Sequence, residues 1–201
     1  MVLEDILSVL SGAAVGLVLA LIGGGGSILA TPALLYVVGM ANPHMAIGTS
    51  AVAVSVNAFA NLITHSRRGN VKWPCAIAFA VAGVVGAAIG ASIGKLTDAA
   101  VLLPLFALLM IAVGVRMLMP RRDEGNPDVR LTAKNAPLIL TAGLIVGLVS
   151  GFFGIGGGFL IVPGLIAASG MTMLHAVGSS LFSVGAFGAA TAAAYAMDGL
   201  V

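Results

Sequence analysis

Two glycine clusters stand inside long apolar stretches: Gly23, Gly24, Gly25 and Gly26, followed by Ser27, and then Gly154, Gly156, Gly157 and Gly158. Glycine in a helix interior costs about 1 kcal/mol against alanine, so several together predict a broken helix. A half-helix starting at Ser27 or Phe159 turns free backbone N–H groups and a positive dipole end toward the break, which favours an anion. Each cluster is followed by a proline, Pro32 or Pro163. Paired breaks at matching places in two related halves are a sequence pointer to a transporter site near the midplane of the membrane. A second pair of motifs, Gly48-Thr49-Ser50 and Gly178-Ser179-Ser180, places hydroxyls at expected helix beginnings. There they cap the helix or donate to a ligand oxygen. Asn57, Asn61 and His65 follow at four-residue steps and form one polar stripe. Asn57 is kept for the substrate path, whereas Asn61 and His65 read as helix-packing groups. The eight glycines with Ser27, Thr49, Ser50, Asn57, Ser179 and Ser180 make up the candidate anion site.

Other chemistry is thin. His44 and His175 each precede a Gly-hydroxyl motif and read as interfacial groups. No Asp or Glu lies inside any apolar stretch, which argues against a pump built on a buried carboxylate. His175 and Ser179 lie one turn apart, and Ser150 precedes Gly151, but no acidic group stands nearby to orient a hydrolytic dyad. Neither glycine run fits the dinucleotide-binding pattern after a strand. The single cysteine, Cys75, forms no internal disulfide and no CxxC site. The sequence calls for no cofactor and no metal, and an enzyme is not expected.

The elements that carry these residues follow from composition. Of 201 residues 60% are hydrophobic and only 8% charged, against about 25% charged in a soluble domain. So few charges cannot cover a water-facing surface, which excludes a cytosolic enzyme, a disordered chain and a nucleic-acid binder. The charges cluster: none falls between Asp5 and Arg67, or between Lys134 and Asp198. At about 20 apolar residues per crossing, the charge-poor blocks hold about six segments. They are expected near Ile6–Val38, Gly48–His65, Trp73–Gly94, Ala99–Met119, Pro137–Ala168 and Ala176–Met197. Continuous apolar runs specify helices rather than the alternating strands of a barrel. Glu4 and Asp5 stand where a signal peptide would be positive, so the first segment is expected to stay. Tyr36, Trp73 and Tyr195 fall near segment ends as interfacial anchors do. Gly86, Gly90 and Gly94 form a small-residue ladder for helix packing. Arg67, Arg68 and Lys72, and Arg116, Arg121, Arg122, Arg130 and Lys134, lie in loops of one side, which the positive-inside rule makes cytoplasmic; only Lys95 lies opposite.

The chain also repeats itself. Pro32 and Gly39 match Pro163 and Gly170, and after a one-residue deletion Ala46, Gly48, Thr49 and Ser50 match Ala176, Gly178, Ser179 and Ser180. Gly69 and Val71 pair with Gly199 and Val201 in the same register. Residues 1–119 form a first repeat of about four segments, 120–135 a cytoplasmic polar linker, and 136–201 a second repeat of about two. A full duplicate needs about 50 more residues, so the second copy reads as truncated. The expected fold is all-α: a polytopic membrane bundle of two related repeats with glycine-broken helices. A single broken crossing is preferred for Ile6–Val38; a re-entrant hairpin there would make the halves inverted repeats.

GGGGSILATPALL with AIGTS, then RRGNVKW, then GIGGGFLIVPGL with AVGSS resemble the TauE/SafE family of sulfite exporters, also grouped as toluene-sulfonate uptake permeases. The resemblance runs over nearly the whole chain, about 7–201. It implies a multi-pass permease of the inner cell membrane, with lipid and a small sulfur-containing or organic anion as partners. Nucleic acid is not a partner, and a homo-oligomer is compatible. Family members usually have about eight spans, two more than expected here. The competing reading is a channel-like or structural membrane protein without carrier activity.

Overall fold

The computed structural model describes residues 34, 43–118, 125–153, 158–197 and 199. The described residues form six helices: α1 Pro43–Arg67, α2 Trp73–Lys95, α3 Ala99–Leu118, α4 Ala136–Phe153, α5 Gly158–Ser169 and α6 Met173–Ala196. Four stretches are long and apolar enough to cross a membrane: His44–Arg67, Trp73–Lys95, Ala136–Phe153 and Met173–Ala196. Their ends follow local chemistry. Gly69, at φ 72°, ends α1 by donating its N–H to Ser66 O, and Gly199, at φ 68°, does the same to Ala196 O after α6. Only glycine takes that left-handed turn without a Cβ penalty. The two positions are the pair that the repeat aligns.

Helix α2 turns small residues toward α4 and large ones outward. Ile77, Val81, Val85, Ile89 and Ile93 are exposed along one face of α2, as a lipid-facing stripe should be. On its other face Gly86 and Gly90 press against the backbone of α4 at Leu144 and Leu148, and Gly94 against Phe152. The facing glycines Gly143, Gly147 and Gly151 press back on Phe79, Gly83 and Ala87. Both sets advance in the same sense, so α2 and α4 run parallel. Hydrocarbon offers no hydrophobic drive between helices, and this close backbone approach, with its dispersion and Cα–H···O contacts, takes its place.

α6 runs parallel to α2. The Lys72 N–H donates to Ser179 Oγ at 2.9 Å at one end, Phe79 and Phe187 stack at 6.2 Å in the middle, and Lys95 Nζ donates to Ala194 O at 3.1 Å at the other end. The lone loop cation opposite the basic face is therefore spent on the C-terminal carbonyls of α6, where a positive charge is favourable. α1 runs antiparallel to α6: Asn70 packs on Gly178 at one end, and His44 stacks on Tyr195 at 6.3 Å at the other.

One expected boundary is corrected. Pro137–Ala168 is not a single broken crossing. It is two antiparallel helices, α4 and α5, with Gly164 packed back on Val146 and the Asn126 N–H donating to Gly170 O at 2.8 Å. Both ends of this hairpin thus lie on the face that carries residues 125–135 and Lys72. α6 consequently starts on the face where α1 ends, and the aligned helices point in opposite directions. The corresponding first-copy segment, Ile6–Val38, lies outside the described residues except for residue 34.

Candidate functional site

Of the candidate site, Gly23, Gly24, Gly25, Gly26, Ser27, Gly154, Gly156 and Gly157 lie outside the described residues. Gly158 opens α5. Thr49 and Ser50 sit in the second turn of α1, and Ser179 and Ser180 in the second turn of α6, because each helix starts earlier than the hydropathy pattern suggested. They are not N-caps. Ser50 Oγ donates to Ile47 O at 2.9 Å and Ser180 Oγ to Val177 O at 2.7 Å, the same bond at aligned positions. Ser179 Oγ accepts the Lys72 N–H and ties the start of α2 to α6.

The structure does not bring the two hydroxyl pairs together. α1 and α6 are antiparallel and cross near Ser55 and Gly185. Ser50 and Ser180 each lie five residues from that crossing, on opposite sides, so roughly 15 Å separates them along the helices at 1.5 Å per residue. Asn57 is half-buried, and its Oδ1 accepts from Asn61 Nδ2 at 2.7 Å. Two members of the polar stripe therefore satisfy each other, as amides in an apolar span tend to do.

The second break is better placed. Phe153 and Phe159 flank it and join a buried cluster with Ile47, Ala91, Leu102, Phe106 and Tyr195. All six helices thereby converge where the α4–α5 chain reverses. Phe152 packs on Gly94, one residue before α2 ends, so the flanks lie toward the end of the bundle opposite the basic face and not at its middle. α5 begins there, and its first N–H groups have no intrahelical partners by construction of the helix.

Sequence reasoning gave no place in the site to the hydroxyls that stand deepest. Ser150, Ser183, Thr191 and Tyr195 are fully buried, and none of their hydroxyl oxygens has a hydrogen-bond partner. Tyr195 was expected as an interfacial anchor near a segment end; it is instead 0% exposed, enclosed by the residues around the second break. Trp73, 40% exposed and edge-on to Phe182, does keep the position of an anchor. The available signal was the four-residue step Ser183, Phe187, Thr191, Tyr195. The last three align with Asn57, Asn61 and His65, and with phenylalanine among them they read as a stripe that is not duplicated.

The comparisons with known proteins agree with one another. Residues 8–201 match the family model described as sulfite exporter TauE/SafE. A probable membrane transporter protein of Xylella fastidiosa (strain Temecula1) is 53% identical over 201 residues, covering 98% of this chain and 76% of the relative. One from Methanocaldococcus jannaschii is 31% identical over 167 residues, with 81% of this chain and 61% of the relative covered. One from Haemophilus influenzae is 27% identical over 184 residues, with 88% and 68% covered. No solved structure matches the chain significantly.

Proposed function

The chain belongs to the TauE/SafE sulfite exporter family of membrane transporters, and from that premise we propose that it carries small sulfur-containing or organic anions, such as sulfite or sulfonates, across the inner cell membrane. The anion is held at the glycine-rich breaks, Gly23–Gly26 with Ser27 and Gly154–Gly158. Thr49, Ser50, Asn57, Ser179 and Ser180 contribute polar groups along the path on α1 and α6.

The observation that carries this reading is the reversal between α4 and α5 inside an otherwise apolar bundle. The start of α5 lies beside Phe153, Phe159 and Tyr195, and a helix start turns N–H groups and a positive dipole end toward an anion. An oxyanion accepts hydrogen bonds and donates few, so donors without carboxylates suit it. Binding without a buried arginine is modest, and a carrier must release its load. Antiparallel α1 and α6, meeting at one crossing, provide the element about which the two halves rock to expose the site alternately.

The test is uptake or efflux of labelled sulfite and small sulfonates by the purified protein in proteoliposomes. Saturable flux that Gly157→Leu abolishes in a well-assembled protein is the expected result. Flux that does not saturate and shows no counterflow makes the protein a channel. Saturable flux that survives both Gly25→Leu and Gly157→Leu removes the glycine breaks from the site.

A further inference from the structure

Resting on the anion-carrier reading, we infer that the buried hydroxyls of α6, Ser183, Thr191 and Tyr195, supply the donors that the transported oxyanion meets, with Tyr195 beside Phe153 and Phe159.

A hydroxyl inside hydrocarbon has a default partner, the carbonyl one turn back on its own helix. Ser92, Thr97, Thr141, Ser169 and Ser180 all use it, and Ser55 reaches across to Gly185 O. Ser183, Thr191 and Tyr195 do neither, although each is 0% exposed. Unpaired buried polar groups are uncommon in native proteins and require an explanation; in a membrane interior water does not supply one.

Their arrangement points to a ligand. Ser179, Ser183, Phe187, Thr191 and Tyr195 succeed one another at four-residue steps along α6, each turned about 40° from the one before, and the row stays buried as it winds partway round the helix. The row begins at Ser179, bonded to Lys72 on the basic side, and ends at Tyr195, packed with Phe153 and Phe159. It crosses the bundle from one face to the other. Phe187, at its middle, fills the notch left by Gly83 and divides the donors into Ser183 below and Thr191 with Tyr195 above. A hydroxyl donates to sulfite or sulfonate oxygen without carrying a charge that would trap it.

The experiment compares wild type with Ser183→Ala, Thr191→Val and Tyr195→Phe, reading the KM for labelled sulfite in proteoliposomes and the thermal midpoint without anion. Loss of a transport donor raises KM by about fivefold or more in Thr191→Val and Tyr195→Phe, while the midpoint stays or rises because an unpaired buried group has been deleted. Thr191→Ser restores the KM. KM values within about twofold of wild type in all three variants overturn the inference while leaving the carrier intact. A midpoint lowered by several degrees in Tyr195→Phe overturns it as well, since the hydroxyl would then have a structural partner. Wild-type protein without saturable flux overturns the carrier reading, and this inference with it.

Discussion

Ser55 Oγ donates to the carbonyl of Gly185 at 2.8 Å across 130 residues of sequence. The same separation aligns Ser50 with Ser180 and Gly69 with Gly199. Position 55 therefore touches the position that the alignment makes its own counterpart, as residues beside a two-fold axis do. Because α1 and α6 are antiparallel, the aligned residues on the two sides of this contact lie at opposite ends of the bundle.

Ser55→Ala removes the bond at this crossing. Interhelical hydrogen bonds in membranes are worth about 0.6 kcal/mol on average, so a small drop in thermal midpoint in detergent is expected. A drop as large as that of the glycine variants below would mean that the crossing, not the glycine ladder, holds the bundle together.

Gly90→Ala places a Cβ against the Leu148 carbonyl, and Gly147→Ala one against the Gly83 backbone. Neither backbone can move without parting α2 from α4, so each substitution is expected to cost about 1–3 kcal/mol. Gly114→Ala, in α3, meets nothing within 4 Å and is expected to be neutral or mildly stabilising. Fluorescence-detected size exclusion after graded heating separates the two outcomes.

The α4–α5 hairpin makes a topological prediction. With Cys75 replaced by alanine, Met173→Cys and Leu131→Cys are expected to react with a membrane-impermeant maleimide from the cytoplasmic side. Leu96→Cys, 89% exposed at the other end of α2, is expected to react only from outside. Labelling of Met173→Cys together with Leu96→Cys would restore the single broken crossing.

Lys95→Met leaves the last carbonyls of α6 without their cation. A charge at a helix C-terminus contributes about 0.3–1 kcal/mol. Faster amide exchange over the last turn of α6, with the first turn unchanged, is the expected result. Unchanged exchange would assign Lys95 to topology alone.

Much of this molecule was legible in its residues. The charge-free blocks marked the long helices, Gly86, Gly90 and Gly94 marked a packing face, and the basic residues marked one side of the bundle. Gly69 and Gly199 matched in sequence and make the same turn. The facing ladder Gly143, Gly147 and Gly151 has the same four-residue step and was there to be read, but it needs a partner helix before it means anything. Thr49, Ser50, Ser179 and Ser180 looked like caps because glycine before a hydroxyl resembles a helix start. The helices instead begin at Pro43 and Met173, since tertiary packing extends a helix beyond its local signals.

By itself the sequence determined that the chain is a helical membrane protein of this family, because burying backbone polar groups in lipid leaves a chain of continuous apolar runs no other solution. It also placed the basic loop residues Lys72, Arg130 and Lys134 on one side of the bundle. Only the tertiary structure decided that 137–168 turns back on itself, that the two hydroxyl pairs lie far apart, and that Tyr195 stands inside. Hydropathy has magnitude but no direction: an apolar run interrupted by glycine reads the same whether it crosses once or returns. Which way it goes is settled by the helices it packs against.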